Sequence, residues 1–241
     1  MKLLKSLVTV VLAAASMTMM AQAAAAKPAP PSGTPDAGIQ IIDGGYYNQN
    51  APWAARLFLN GTENCSATII APRYILTARH CVGGGMSFRI GSLDQYSGGT
   101  VAYASRTTVH SSADLAIVQL DRSVNTTYSP LGTTSDVWVG QTTTILGWGA
   151  TGRCNPELSC QSRYLKYANV EVATVNGRDY HGGVGIGAYY GNGIAAGGDS
   201  GGPMFGNGRQ VGVASTSNRS DYNTYTNITR YRSWIRSIAG V

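Results

Sequence analysis

Residues 198–203 read Gly-Asp-Ser-Gly-Gly-Pro, and the rest of the chain takes its meaning from how this hexapeptide is read. Five of its six residues are Gly, Ser or Pro, set around one acid. A surface turn accounts for that composition. So does a turn whose glycines let the backbone aim its N–H groups at one point, so that the amides of Gly198 and Ser200 hold an anionic oxygen above the Ser200 side chain. A serine hydroxyl is a weak nucleophile at neutral pH unless a base takes its proton. The second reading therefore requires a histidine elsewhere in the chain.

Three histidines exist, His80, His110 and His181. His80 stands in Leu76-Thr77-Ala78-Arg79-His80-Cys81, after an apolar run and beside a cysteine. His110 ends a strand-like run and His181 lies in a glycine-rich loop, so both read as bystanders, and Arg79 reads as a solvated side chain. A histidine base needs a carboxylate on its other ring nitrogen, to hold the tautomer and stabilise the imidazolium. Asp114 opens Leu115-Ala116-Ile117-Val118-Gln119-Leu120, an acid at the mouth of a buried strand. Taken singly, His80 is equally a structural histidine and Asp114 equally a turn cap.

Outward from these segments, short apolar runs recur between turn signals: 54–59, 67–70, 74–76, 87–90, 115–120, 142–146, 168–175 and 210–214. Such spacing indicates an all-β sandwich or barrel. The spacing does not distinguish two barrels from one large one. Ile228, Tyr231, Trp234, Ile235 and Ile238 recur at helical spacing and predict a C-terminal helix. At the other end, Lys2 and Lys5, an apolar run over 7–15 and the small residues Ala21-Gln22-Ala23 read as an export signal over 1–23. Residues 24–40 read as a short propeptide, being mostly Ala, Pro, Gly and Ser without hydrophobic periodicity. Residues 41–241 form the expected globular unit, secreted and not membrane-bound.

The formal net charge is +6. The first 40 residues hold three lysines and one aspartate, so the excess beyond them is about +4, with no basic stripe of the kind that nucleic-acid binding needs. Four cysteines on an exported chain predict two disulfides. The local pairing of the three allowed is Cys65 with Cys81 and Cys154 with Cys160. A zinc site is the rival use, and neither spacing is a CxxC pair. No metal and no cofactor are expected.

Together, Thr77-Ala78-Arg79-His80-Cys81, Asp114-Leu115-Ala116 and Gly198-Asp199-Ser200-Gly201-Gly202-Pro203 resemble, in the same order, the motifs of the trypsin/chymotrypsin family. The resemblance extends over 41–241, and its compact, arginine-rich style is similar to secreted bacterial, actinobacterial members. It implies two six-stranded antiparallel β-barrels with the active site in the cleft between them. It also implies a secreted serine endopeptidase with Ser200 as nucleophile, His80 as base and Asp114 as the residue that orients it. Pro52-Trp53 matches the start of the first barrel, and Gly147-Trp148-Gly149 matches the family's Gly-Trp-Gly. Ile41-Ile42-Asp43-Gly44 is similar to the new N-terminus that activation exposes, whose ammonium would pair with Asp199. Gln40 precedes it, so cleavage after a basic residue is not encoded.

The resemblance places Ile194 at the floor of the pocket for the side chain before the scissile bond, where trypsin-like members carry an aspartate. Ser215, Ser217 and Asn223 would line its walls. An apolar floor removes the counter-charge a basic side chain needs, so a small or medium uncharged residue is expected there. The implied partners are protein or peptide substrates and proteinaceous protease inhibitors, for a chain acting as a monomer. Two rivals remain: a catalytically silent binding protein on the same fold, and an enzyme acting mainly on esters by the same acyl-enzyme route.

Overall fold

The computed structural model describes residues 41–241. The expected leader and propeptide lie outside the described residues. In chain order the strands are β1 (Gly45–Tyr46), β2 (Ala54–Leu59), β3 (Thr62–Ala71), β4 (Tyr74–Thr77), β5 (Met86–Ile90), β6 (Thr100–Val109), β7 (Ala116–Leu120), β8 (Thr142–Gly147), β9 (Lys166–Arg178), β10 (Val184–Tyr190), β11 (Pro203–Gly206), β12 (Arg209–Ser217) and β13 (Tyr222–Asn227), followed by helix α1 (Arg232–Ala239). Strands β2-β3-β4-β7-β6-β5 close into one antiparallel barrel. Strands β8-β9-β10-β13-β12-β11 close into a second, because β8 pairs with both β9 and β11, and β1 adds to the edge of β9.

Alternation drives the first barrel. In β5, Met86, Phe88 and Ile90 point inward while Ser87 and Arg89 point away. With Leu57, Ile69, Ile75 and Ile117 they fill the barrel interior, each such side chain contributing roughly 1.5–3 kcal/mol on burial. The second core is built from Ile145, Val170, Val172, Ile186, Met204, Val211 and Tyr225, and it includes Ile41. A third cluster around Trp148, with Leu146, Leu165 and Ala54, joins the β2 entry to β8. Trp53 stacks on Phe205 there at 4.7 Å.

Helix α1 is shorter than its sequence pattern. Ile228–Arg230 form a 3-10 turn, begun by the Asn227 side chain, which accepts the Thr229 N–H. The helix then presents Ile235 and Ala239 to the first barrel's core. It stops at Gly240, whose φ of +78° and N–H bond to the Arg236 carbonyl form a left-handed cap. Strands β1, β6, β10, β11 and β13 were missed in the sequence, and β6 and β10 are the longest of them. Most of β6 is exposed on both faces, and glycines interrupt β10, where Gly187 leaves room for the Tyr222 ring; in each case the apolar alternation that marks a strand is absent.

A buried glutamine links the barrels. Gln210 of β12, fully buried, accepts from the Thr68 hydroxyl of β3 at 2.9 Å and from the Ser129 hydroxyl at 2.7 Å. Gln210→Ala leaves both hydroxyls without an acceptor and is expected to destabilise the domain by about 2–4 kcal/mol. Denaturant unfolding checks it, and an unchanged midpoint would show that the barrels are held together without this contact.

Candidate active site

His80 sits in a 3-10 turn, Arg79–Cys81, directly after β4. The Cys65–Cys81 disulfide, S–S 2.04 Å, ties this turn to β3. Asp114 lies on the approach to β7 and is completely buried. Its Oδ1 accepts the His80 backbone N–H at 3.0 Å and its Oδ2 faces His80 Nδ1 at 2.7 Å. The Ser215 hydroxyl donates to the same Oδ2 at 2.6 Å. Burial raises the Asp114 carboxyl, but hydrogen bonds and charge from His80, with the Ser215 hydroxyl, outweigh it and hold the group below its usual range. A carboxylate only accepts, so Nδ1 carries the proton and Nε2 keeps its lone pair. His80 and Ser200 line the same cleft, a cavity of about 310 Å³.

The loop carrying Ser200 has its carbonyls turned inward. The Gly197 carbonyl accepts the Ala150 N–H at 2.8 Å. The Gly198 carbonyl accepts from the Ser66 hydroxyl at 2.9 Å and Arg56 Nη1 at 3.1 Å. Those of Asp199 and Ser200 accept the N–H groups of Gly202 and Ser66, both at 2.8 Å. In a trans peptide the N–H points opposite to the carbonyl. The Gly198 and Ser200 N–H groups therefore face away from the interior, and neither has an acceptor among the described residues. Gly201 cannot be replaced here: its φ is +80°, and a Cβ would strike the Thr77 hydroxyl and the Ser66 carbonyl. A basic ring nitrogen and a hydroxyl in one cleft, with N–H groups free to receive an oxyanion, are what an acyl transfer requires.

A family model described as Trypsin matches residues 42–235. The chain belongs to the trypsin family. It is a serine endopeptidase, acting on protein or peptide substrates. It is similar to trypsin iota of Drosophila melanogaster, 29% identical with 78% of this chain and 83% of that protein covered, and to trypsin alpha of the same fly, 27% identical with 78% and 82% covered. Among solved structures it resembles mouse neuropsin, a serine protease, with a TM-score of 0.67, 26% identity and 78% and 94% of the two chains covered. A scabies mite inactivated protease paralogue shares the fold at TM-score 0.71, with 21% identity and 82% and 97% covered. These relatives are insect, mite and mammalian, and lend nothing to a bacterial origin.

Several side chains that position the trypsin-family site escaped the sequence reading. Arg56 is fully buried beneath the Ser200 loop. Its Nε reaches Gln95 at 2.8 Å and its Nη2 the Gln161 amide oxygen, besides the bond to Gly198. Burial pulls its guanidinium down to about 10, with Asp199 and Glu63 pulling the other way. Asp179 accepts the Asp114 N–H at 2.9 Å and the Thr226 hydroxyl at 2.9 Å, fixing the backbone that carries Asp114. His181 is no bystander, since its Nε2 stands 3.9 Å from Asp114 Oδ1. Nor is Arg79 simply solvated: it donates to the His110 and Ser111 carbonyls at 3.2 and 3.1 Å. Tyr180 meets the His80 ring edge-on at 6.0 Å. A buried acid beside a histidine gives no local pattern, and the pairing of Glu157 with Arg219 spans 62 residues.

Of the expected pocket residues, Ser215 and Ser217 line the cleft. Ile194 and Asn223 do not. Ile194 is sealed in a bridge with Ile42, its N–H on the Ile42 carbonyl at 2.9 Å. Asn223 Oδ1 accepts the Ala195 N–H at 2.9 Å and is buried. The walls are instead Ala195, Ala196, Thr216, Ser217 and Arg219. The second disulfide, Cys154–Cys160, closes the loop that delivers Glu157 and Gln161. The one grouping of metal-ligand side chains among the described residues, Cys65, His80 and Cys81, has its two sulfurs bonded to each other, so it has no thiolate to give a zinc ion.

Asp199 is the most constrained acid. Gly147 and Gly149 lack side chains where its carboxylate lies, which is the physical sense of the Gly-Trp-Gly sequence. Its oxygens accept the N–H groups of Gly149 at 2.7 Å and Ala196 at 2.9 Å. Burial nonetheless pushes its carboxyl up to about 6. The folded intact chain keeps this proton up to that pH, whereas the unfolded chain loses it near 3.8. Asp199 therefore makes stability fall as pH rises from about 4 to 6. Thermal unfolding of the intact chain against its Asp199→Asn variant should show this slope only in the parent; parallel curves would refute it.

Proposed function

We propose that Ser200 is the nucleophile of this endopeptidase, that His80 takes its proton and returns it to the leaving amine, and that Asp114 holds the imidazole in its reactive tautomer. The amides of Gly198 and Ser200 form the oxyanion hole. The observation that carries this reading is that one cleft holds the Ser200 hydroxyl and an imidazole anchored at Nδ1 by a buried carboxylate, and that the Gly198 and Ser200 N–H groups of the serine loop have no acceptor among the described residues. Ser200 Oγ makes no hydrogen bond to the ring in the unliganded chain, and bonds of this kind tighten as substrate arrives. The reaction attaches the acyl group to Ser200 with loss of the amine, and water then releases the acid.

The chain is exported by residues 1–23 and matures by cleavage between Gln40 and Ile41. Ile41 is already in the second barrel's core, and the ammonium freed there supplies the counter-charge that the buried Asp199 lacks. The mature enzyme is a monomer open to proteinaceous inhibitors. No helix among the described residues is long and apolar enough to cross a membrane.

Removing Ser200 or His80 is expected to lower kcat on the order of a million-fold, and Asp114→Asn about ten-thousand-fold, without additivity between them. Titration with a serine-directed phosphonate and amide hydrolysis by each variant check this. Near-normal turnover in any one variant would overturn the assignment; a parent that takes up no phosphonate would favour the silent binding protein, and one that cleaves only esters the esterase. Sequencing the N-terminus of the secreted active form should give Ile-Ile-Asp-Gly-Gly. Full activity with residues before Ile41 retained would show that Asp199 needs no ammonium.

A further inference from the structure

The cleft beside Ser200 carries one cation and no acid. Arg219, on the tight turn between β12 and β13, lines it together with Ala195, Ala196, Thr216 and Ser217. The turn is built to place this residue. Its φ is +60°, a conformation that costs a non-glycine residue energy. The Arg219 N–H donates to the Ser217 hydroxyl at 3.0 Å, and Asn218 Oδ1 collects the N–H groups of residues 220, 221 and 222 at 2.9–3.0 Å.

Each nitrogen of the guanidinium has one partner. Its Nε and Nη2 reach Glu157 at 2.8 and 3.0 Å, and Nη1 reaches the Ser217 carbonyl at 3.0 Å. The two terminal nitrogens, with two protons each, thus keep one N–H apiece without a partner among the described residues. Glu157 cannot turn to neutralise that fork, because its other task is to accept the Gly197 N–H at 2.6 Å. The hydrogen bond from Arg219 also holds its carboxyl below the usual range. Asp221, the nearest acid along the chain, is occupied by the Asn218 amide at 2.6 Å. The Ser217 and Thr216 hydroxyls have no acceptor either. Every unused side-chain polar group on this wall can donate, and a carboxylate is the side chain that only accepts.

We propose that the residue before the scissile bond is acidic, its carboxylate received by the terminal fork of Arg219 and the Ser217 and Thr216 hydroxyls. This rests on Ser200 being the nucleophile. It replaces the uncharged preference inferred from Ile194, which lies outside the cleft. A basic side chain would meet only donors, since Glu157 is already committed to Arg219 and the Gly197 N–H, and an apolar one would leave those donors unpaired.

The test is a peptide series identical except at that position, bearing Glu, Asp, Gln, Ala, Leu or Arg, with kcat/KM measured for the mature enzyme. Glu or Asp should exceed Gln by about 10- to 100-fold, as a charge-assisted hydrogen bond allows, and Arg should be worst. Whichever of Glu and Asp is faster gives the reach of the pocket. Arg219→Gln should collapse the Glu-to-Gln ratio towards one and Arg219→Lys should keep part of it. A ratio is read because Arg219 also steadies Glu157, and loss of that support lowers all substrates together. An enzyme that takes up phosphonate yet prefers Ala, Leu or Arg overturns the proposal alone; one that takes up none fails the earlier reading instead. An Arg219→Gln variant that keeps the parent's ratio would also sink it, by placing the recognising charge elsewhere.

Discussion

The site depends on where four consecutive carbonyls point. With those of Gly197 and Asp199 bound to the Ala150 and Gly202 N–H groups, planar peptides turn the Gly198 and Ser200 N–H groups the opposite way, and the bound carbonyls of Gly198 and Ser200 hold the rest of the loop in place. The bonds come from both barrels. Ser66 and Arg56 belong to the first, Ala150 to the second, so the loop is shaped only where the two are packed together. Ser66 makes two of the links, its N–H to Ser200 and its hydroxyl to Gly198, and the same hydroxyl accepts the Trp148 N–H at 3.1 Å.

Beneath this loop the protein holds an unusual number of buried charges. Arg56, Lys166 and Asp199 are all almost fully buried. Burial moves each towards its neutral form, Lys166 down to about 8 and Asp199 up to about 6. Removing ions from water is costly, and such groups persist where hydrogen bonds satisfy them. Arg56 has three such bonds, and Lys166 donates to the Gly44 carbonyl at 3.2 Å beside the Tyr46 ring. Arg56 thus brings charge to a carbonyl of the active loop without being paired to any one acid, while Gly44 places Lys166 against the segment that follows the expected cleavage point.

The fold by itself does not decide activity. The same two barrels occur in an inactivated mite protease paralogue. At that distance only architecture is shared, and function must be argued from the site. What separates an acyl-transfer site from a silent copy is chemical: a buried carboxylate bonded to Nδ1, a hydroxyl in the same cleft, and unpaired N–H groups beside it.

The amino-acid sequence by itself determined the parts that depend on near neighbours. The segments around His80, Asp114 and Ser200 could be picked out because each requires a short run of particular residues. Strands β2, β5 and β8 could be read because each is a short apolar run between turn signals, and the disulfides because each closes a local loop. Tertiary structure alone decided that there are two barrels, since closure is a pairing of β8 with both β9 and β11 that no local pattern records. It also decided that Ile194 is sealed under Ile42 while Arg219 lines the cleft. Arg219 and Glu157 lie 62 residues apart in the chain, and Arg56 and Gly198 lie 142 apart. A buried polar group must find a partner, but which partner is set by how the barrels close; the sequence states the need, and only the packed chain supplies the match.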